Sequence, residues 1–270
     1  MESIDRIYVC PECKQSLDDY FCRHCSVRYS VRDGIPSFIP ESALSERLDV
    51  RNVYDEIYSN HQDAWVDQGR SEEFISYFCG LAQSRSQDRL LEIGCGEGEL
   101  LAAMTAKRKF GVDPSINALR RARSRSDAKF SVARSEQLPF PPASFDLVVT
   151  VGVMEHFEDP DAATREIYRV LSPTGHYIAL IQTDLTTQQR LLLKFRQYVF
   201  PKFRPIEFAR WVRKKTHNPI VQPFRKSHTI DSARKCIEQS GLKVTEIITR
   251  ATHPSAPLAG PHVIILVACK

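Results

Sequence analysis

The chain has 270 residues, of which 42% are apolar and 26% charged, and 37 basic against 33 acidic residues give a formal charge of +4. This composition excludes collagen-like, coiled-coil and intrinsically disordered chains. The longest apolar stretches, residues 147–154 and 263–269, fall far short of the roughly 18–20 residues that a membrane-spanning helix needs, and the first residues lack an apolar signal-peptide core, so we expect a cytoplasmic protein without a transmembrane segment.

Four of the eight cysteines lie close together near the start of the chain. They form two C-x-x-C pairs separated by eight residues, Cys10 with Cys13 and Cys22 with Cys25. Each short turn directs two thiolates at one centre, and four thiolates complete a tetrahedral Zn²⁺ site, whereas disulfides are not expected in a reducing compartment. We therefore predict a structural zinc with no open position for chemistry, and His24 as a bystander.

The segment after the cysteines alternates and turns at Asp33-Gly34, which predicts a β-hairpin within residues 27–40. With its motifs CPEC, CRHC and YSVRDGIP, the region resembles the small zinc-ribbon subunit that partners tRNA and release-factor methyltransferases, and also the ribbon at the front of some bacterial rRNA guanine-N1 methyltransferases. The resemblance implies a zinc ribbon over residues 1–40. Because the metal would supply much of the ribbon's folding energy, we expect the ribbon and the remaining chain to have separate sources of stability.

The polar residues 41–85 are predicted to form a helical linker and the first helices of a second domain, with Ser71 as an N-cap. Beyond them, short apolar runs alternate with amphipathic segments, as in βαβ units. We predict strands at residues 89–94, 109–113, 129–133, 145–151, 175–182, 242–250 and 262–269, and helices at residues 97–107, 115–125, 161–171 and 230–240. The order indicates an α/β fold with a doubly wound, mostly parallel sheet of seven strands and a ligand cleft beyond their carboxyl ends.

The first of these strands runs into a glycine-rich turn, LLEIGCGEGE, whose glycines let the backbone turn sharply and approach a ligand. Its spacing differs from the G-x-G-x-x-G of dinucleotide folds. Glu92, just before the glycines, would repel a pyrophosphate and suits a ligand that carries an ammonium and a sulfonium. Asp113 ends the second strand about twenty residues later, where an acid accepts the hydroxyls of a ribose.

Residues 90–182 contain an ordered series of motifs: EIGCGEG, GVDPS, EQLPF, FDLVVTVGVMEHFEDP and LSPTGHYIAL. This series resembles class I S-adenosylmethionine-dependent methyltransferases of the quinone-biosynthesis-like group. The resemblance implies a Rossmann-like methyltransferase domain over residues 86–270 with S-adenosylmethionine as cofactor. It implies the following cofactor contacts: Gly94 and Gly96 beside the methionine part with Glu92 beneath it, Asp113 at the ribose, Ser135 and Glu136 flanking the adenine, and Val151 near the sulfonium.

One position departs from this family's pattern. The family commonly has Asp immediately before the equivalent of Ser135, where it accepts from the adenine amino group, but this chain has Arg134, which has no acceptor. Either Glu136 or a backbone carbonyl takes that role, or adenine recognition is weaker. We expect the Arg134 side chain to be solvated and to point away from the cofactor.

In-line transfer of an already activated methyl group needs proximity and orientation, and a general base only where the acceptor carries a proton of high pKa. His156, beyond the fourth strand, and His228, before the last crossover helix, are the candidate catalytic residues; a loop-ordering role is the alternative for His156. The residues 150–153 lack the Asn/Asp-Pro-Pro-aromatic turn of enzymes that methylate exocyclic base amines. The chain also lacks the Pro-Cys or Thr-Cys pair of cytosine C5 methylation.

Residues 183–230 form a basic and aromatic insertion with eleven Lys/Arg against two acids, a charge of +9, interleaved with seven aromatic residues. Three interpretations are open: a lid over the active site with a solvated basic face, a surface that rests on anionic lipid, or a surface that binds RNA phosphates and stacks bases. The apolar spacing, as in Leu191-Leu192-Leu193 and Trp211-Val212, favours helices with one buried face and hence the lid.

The sequence therefore predicts a methyltransferase that acts on a small-molecule or lipid-like acceptor. The alternative is an RNA base methyltransferase, which the ribbon and the basic insertion support. A third hypothesis, a catalytically silent binding partner, is disfavoured by the intact glycines and Asp113.

Overall fold

The structure is a computed structural model that describes residues 7–39, 50–60, 71–85, 88–183, 226, 228–258 and 262–270. The strands are β1 Phe21–Cys22, β2 Val27–Arg28, β3 Ser30–Arg32, β4 Ile35–Ser37, β5 Arg89–Ile93, β6 Arg108–Asp113, β7 Lys129–Val132, β8 Phe145–Val151, β9 Leu171–Gln182, β10 Lys243–Ile248 and β11 Val263–Cys269. The helices are α1 Val50–Asn60, α2 Glu72–Gln83, α3 Glu99–Ala103, α4 Ile116–Arg125, α5 Pro160–Val170 and α6 Ile230–Gln239.

One large sheet organises the described residues, in the strand order β10-β11-β9-β8-β5-β6-β7-β4-β3. Strands β5 to β9 are mutually parallel, and β11 runs antiparallel between β9 and β10. Strand β8, with the sequence FDLVVTV, is buried at every position but Asp146, as expected of a strand covered on both faces. All seven predicted strands are present, and the predicted Rossmann-like fold is confirmed.

The N-terminal segment extends this sheet, which the sequence analysis did not predict. Strand β4 lies parallel to β7, with Ser37 opposite Val132, and Phe38 N donates to Val132 O at 2.7 Å. Strand β3 pairs with β4 across the predicted turn, where Asp33 and Gly34 both have positive φ. The large sheet of the described residues therefore has nine strands rather than the predicted seven. The two additional strands are those of the hairpin, which covers the free backbone edge of β7.

The cysteine-bearing segment also shares its core with the sheet. The ring of Tyr8 lies 4.9 Å from that of Phe38 and 5.5 Å from that of Phe140, and all three side chains are buried. The expectation of separate sources of stability is therefore wrong for the described residues. Aromatic packing joins the two regions directly.

Several boundaries differ from the predictions by a few residues. Strand β9 begins at Leu171 rather than at residue 175, and α3 ends at Ala103 because Met104 is extended and buried. The predicted cap of α2 is confirmed, since Phe74 N donates to Ser71 Oγ at 3.2 Å. Most of the basic insertion, residues 184–225 and 227, lies outside the described residues. Among the described helices, none is both long enough and apolar enough to cross a bilayer.

Candidate active site

The glycine-rich turn leaves β5 at Ile93 and is bound to the neighbouring strand. The N–H groups of Gly94 and Cys95 both donate to Val112 O, at 2.8 and 3.1 Å. Gly94 has a φ of 68°, a left-handed conformation that favours glycine. A Cβ at this position would also collide with the side chain of Val153, which follows β8. The turn therefore requires glycine at residue 94 for two independent reasons.

Asp113 ends β6 and holds the far side of this turn. Its Oδ2 accepts from Gly96 N at 2.9 Å, and its Oδ1 accepts from Ser115 N at 2.9 Å. The side chain is 5% exposed and lines a cavity. Asp113 thus shapes the backbone of the site and places its carboxylate at the cavity wall.

Acidic side chains lie behind the turn as well. Glu92 is fully buried in β5 and does not line the cavity. Glu97 is 5% exposed and forms ion pairs with Arg121 at 2.5 Å and Arg125 at 3.4 Å, which fix the turn against α4.

The cavity itself lies beyond the carboxyl ends of the strands, where the sequence analysis placed it. Its lining follows the strand order across the sheet: Val263 of β11, Leu180 and Gln182 of β9, Val151 of β8, Ile93 and Gly94 at β5, Val112 and Asp113 of β6, and Ala133 to Glu136 after β7. Polar and charged groups gather over β6 and β7. Apolar side chains, joined by Phe74 and Leu258, dominate over β9 and β11. The cavity therefore has a polar half and an apolar half, with Val151 between them.

The loop after β7 is bound to the loop after β8 through Glu136. Its Oε1 accepts from Glu158 N at 2.9 Å and Asp159 N at 3.3 Å, and its Oε2 accepts from Ser135 Oγ at 3.0 Å. Arg134 lines the cavity and pairs with Glu158 at 3.1 Å. The Arg134 side chain is 25% exposed, so it keeps contact with solvent while Glu158 supplies a countercharge, and its orientation away from the cofactor stays a prediction.

Helix α1 closes one wall of the cavity with Tyr54 and Tyr58, which the sequence analysis missed. Asp55 on the same helix accepts from Ser115 Oγ at 2.5 Å and from Asn117 N at 3.3 Å, which holds α1 over the start of α4. Burial, followed by the nearby negative charges, raises the pKa of Tyr54. Its phenol therefore stays protonated and able to donate. The i, i+4 spacing, which places the two tyrosines on one face of a helix, was the signal in the sequence that could have indicated this wall.

The two candidate histidines occupy different places. His156 lies on a single 3₁₀ turn, Met154–His156, is buried, and lines the cavity; its N–H donates to Val153 O at 2.8 Å. His228 is also buried, directly before α6, but does not line the cavity. Of the predicted site residues, the cavity thus brings together Gly94, Asp113, Ser135, Glu136, Val151 and His156, with Gly96 behind Asp113.

The four N-terminal cysteines come together as predicted, with all four sulfurs within 4.8 Å of one another. The sulfurs of Cys10 and Cys25 are 3.9 Å apart and those of Cys13 and Cys22 are 3.5 Å apart. Four tetrahedral Zn–S bonds of about 2.3 Å would place the sulfurs about 3.8 Å apart. The donor set and its dimensions therefore fit a zinc ion.

Residues 91–179 match the protein family described as "Methyltransferase domain". The chain is 30% identical over 203 residues to a demethylmenaquinone methyltransferase of Symbiobacterium thermophilum, with 70% of this chain and 74% of the relative covered. It is 30% identical over 182 residues to a ubiquinone/menaquinone biosynthesis C-methyltransferase UbiE of Xanthomonas campestris, with 62% and 70% covered.

Among solved structures, the fold is similar to a chain in a complex of the Haloferax volcanii Trm112 methyltransferase activator with a methyltransferase. The TM-score is 0.57 at 16% identity, with 83% of this chain and 99% of that chain covered. At this identity the likeness concerns the fold alone.

Proposed function

We propose that this chain, which belongs to the class I S-adenosylmethionine-dependent methyltransferases, methylates a small, apolar or lipid-like acceptor. The observation that carries the proposal is the division of the cavity into a polar half over β6 and β7 and an apolar half over β9 and β11. The polar half suits a nucleoside with a charged amino-acid tail, and the apolar half then remains for the acceptor. The names of the two quinone-biosynthesis relatives support an acceptor of this kind.

The residues present fit the cofactor that the family implies. We propose that the backbone at Gly94 and Gly96 lies against its methionine part, that Asp113 accepts from its ribose hydroxyls, and that Ser135 and Glu136 flank its adenine. Two features support this arrangement: the left-handed turn that excludes a Cβ at Gly94, and the position of the Asp113 carboxylate at the cavity wall beside that turn. When bound, S-adenosylmethionine supplies an electrophilic methyl group on a cationic sulfur. We propose that Glu92, buried in β5 just before the turn, lies beneath the methionine part.

The chain's own contribution is to orient the acceptor and exclude water. Phe74, Leu180, Leu258 and Val263 form an apolar surface beside Val151, which would hold a ring or chain without competing hydrogen bonds. Tyr54, whose raised pKa keeps its phenol protonated, would donate to an acceptor oxygen. These roles require no covalent intermediate on the protein.

An acceptor that carries a proton of high pKa also needs a base. We propose His156 for this role, because it lines the cavity beyond β8, whereas His228 does not line it. A proton would move from the acceptor to a ring nitrogen of His156. His228 precedes Thr229, the N-cap of α6, and is assigned no part in the proton transfer.

We further propose that Cys10, Cys13, Cys22 and Cys25 hold one structural Zn²⁺, on the strength of their spacing and their sulfur–sulfur distances. Residues 1–40 would form the zinc ribbon, 41–85 a helical linker with the first helices of the catalytic domain, and 86–270 the methyltransferase domain with its insertion at 183–230.

The experiment is methyl transfer from tritiated S-adenosylmethionine, offered in parallel to demethylated quinols, a total lipid extract, polar phenols and total RNA. We expect label in the solvent-extractable quinol or lipid product. Label confined to RNA would overturn the apolar acceptor and favour the RNA alternative, to which the charge of the insertion points.

A further inference from the structure

A cluster of three charged side chains lies where the cysteine segment meets the sheet, outside the cavity. Glu166 of α5 is buried, and its Oε2 accepts from Lys14 Nζ at 2.7 Å and from Leu138 N at 2.8 Å. Arg169, one turn later, donates from Nε to Oε1 at 2.6 Å and from Nη2 to Oε2 at 2.8 Å. A carboxylate with four charge-assisted or backbone donors is firmly held.

The same cluster also binds the loop of residues 138–140, which follows the polar wall of the cavity. Arg169 donates to Phe140 O at 2.6 Å and to Leu138 O at 3.0 Å, and Val9 N donates to Pro139 O at 3.0 Å. Residues 138–140 come directly after the cavity-lining residues 133–136 and the single residue Gln137. The position of the polar wall therefore depends on contacts made just beyond it.

The other end of the cluster lies in the first cysteine pair. Lys14 follows Cys13, its N–H donates to Cys10 O at 2.8 Å, and its Nζ donates to Pro11 O at 2.6 Å. Lys14 has a φ of 60°, a left-handed conformation that costs a non-glycine residue free energy and persists only where its surroundings impose it. The fold of the C-x-x-C turn therefore decides where the Lys14 ammonium lies.

We propose that Lys14 and Glu166 are positioning residues that couple metal binding at the four cysteines to cofactor binding in the cavity. A metal that holds Cys10 and Cys13 together fixes the left-handed turn, and Lys14 then secures Glu166 and, through it, the 138–140 loop. The ordered loop presents residues 133–136 to the ligand. The inference rests on the proposed assignment of this cavity to S-adenosylmethionine and of the cysteines to zinc.

Coupling of this kind is reciprocal, which provides two independent measurements. Metal should tighten the binding of S-adenosylhomocysteine, the demethylated cofactor, and S-adenosylhomocysteine should tighten the binding of zinc by the same factor. The ion pair of Arg85, which follows α2, with Glu246 of β10 is 2.8 Å long and partly buried, and it offers a control outside the cysteines and the 133–140 segment.

The experiment compares zinc-loaded full chains: the parent, Lys14→Met, Glu166→Gln and the control Arg85→Met. Calorimetry with S-adenosylhomocysteine should show dissociation constants raised about fivefold or more in the first two variants and unchanged in the control. Lys14→Arg, which keeps a donor for Glu166, should restore most of the affinity. Chelator competition should show that the parent holds zinc more tightly when S-adenosylhomocysteine is present. In Lys14→Met this increase in zinc affinity should be smaller.

Hydrogen exchange tests the coupling without a measurement of cofactor binding. Removing zinc from the parent should speed exchange of the amides in residues 133–140 while leaving those of β8 and β9 protected. If the parent binds no S-adenosylhomocysteine, the proposed function fails and this exchange measurement still tests the coupling. Unchanged exchange on zinc removal, or equal cofactor affinity in Lys14→Met and the parent, would overturn the inference.

Discussion

The carboxylate of Asp113 accepts a hydrogen bond from the backbone N–H of Gly96, with 2.9 Å between Oδ2 and N. The bond joins the end of β6 to the glycine-rich turn of β5, so the acid that the family assigns to the ribose also sets the shape of the turn. The proposed methionine and ribose ends of the site therefore both depend on Asp113. A substitution at Asp113 acts on both.

Replacing Asp113 by Ala is expected to weaken S-adenosylhomocysteine binding by about 1.5–3 kcal/mol, or about 10- to 150-fold, because charge-assisted hydrogen bonds to the ligand and to the turn are lost. Titration calorimetry measures the effect. The control is Asp127→Ala, which removes an exposed acid that pairs with Lys109 away from the cavity. Equal affinity in Asp113→Ala and the parent would contradict the assignment.

Replacing Gly94 by Ala should strain a left-handed backbone and push against Val153, with a cost of about 1–3 kcal/mol in the free energy of unfolding and a loss of cofactor binding. Adding Val153→Ala should relieve only the collision. In contrast, Gly80→Ala in the exposed part of α2 meets no atom within 4 Å and should stabilise the helix by about 0.5–1 kcal/mol. Chemical denaturation gives all three values, and an unstrained Gly94→Ala protein would refute the predicted geometry.

Metal analysis of protein purified under reducing conditions should find one zinc per chain. Because Tyr8 packs on Phe140 of the main core as well as on Phe38, Cys13→Ser should lower the midpoint of a single thermal transition rather than unfold the ribbon alone. Calorimetric scans of the parent with and without chelator provide the comparison. Two separate transitions, with the sheet at its original midpoint, would show that the shared core does not couple the two regions.

Stability should depend on the ion pair of Asp146 and Arg89, which is 2.8 Å long and joins β8 to β5. The hydrogen bond from Arg89 lowers the pKa of the Asp146 carboxyl, against the opposing effect of burial. A lowered pKa in the folded state means that the stabilisation is present above the unfolded value of about 3.9 and is lost as the pH falls through the folded value. Asp146→Asn should therefore cost stability at pH 7, and the difference from the parent should shrink below about pH 4. Denaturation curves at both pH values measure it, and a difference that grew on acidification would contradict the sign.

Much of the fold was predictable because short apolar runs rich in β-branched residues, such as LVVTV of β8, alternate with amphipathic segments, as in βαβ units. The turn at Asp33-Gly34 was also predictable, because both residue types adopt positive φ more readily than others. The pairing of Ser37 with Val132 was not, because nothing in either segment's composition marks its partner across nearly a hundred residues.

The candidate site was also predictable only in part. Gly94 and Asp113 are recognisable because each is marked by the few residues around it. The wall formed by Tyr54, and the bond from Glu158 N to Glu136, depend on how distant segments pack, and sequence spacing carries little information about such contacts. The ion pair of Arg134 with Glu158 shows the same limit, since the two residues lie 24 positions apart in the chain.

The most direct test of the account is a crystal structure of the protein with S-adenosylhomocysteine bound. The account predicts the ribose hydroxyls within hydrogen-bond distance of Asp113, the adenine between Ser135 and Glu136, and the sulfur near Val151, facing the apolar half of the cavity. A ligand bound with its adenine over β9 and β11, or bound outside this cavity, would contradict it.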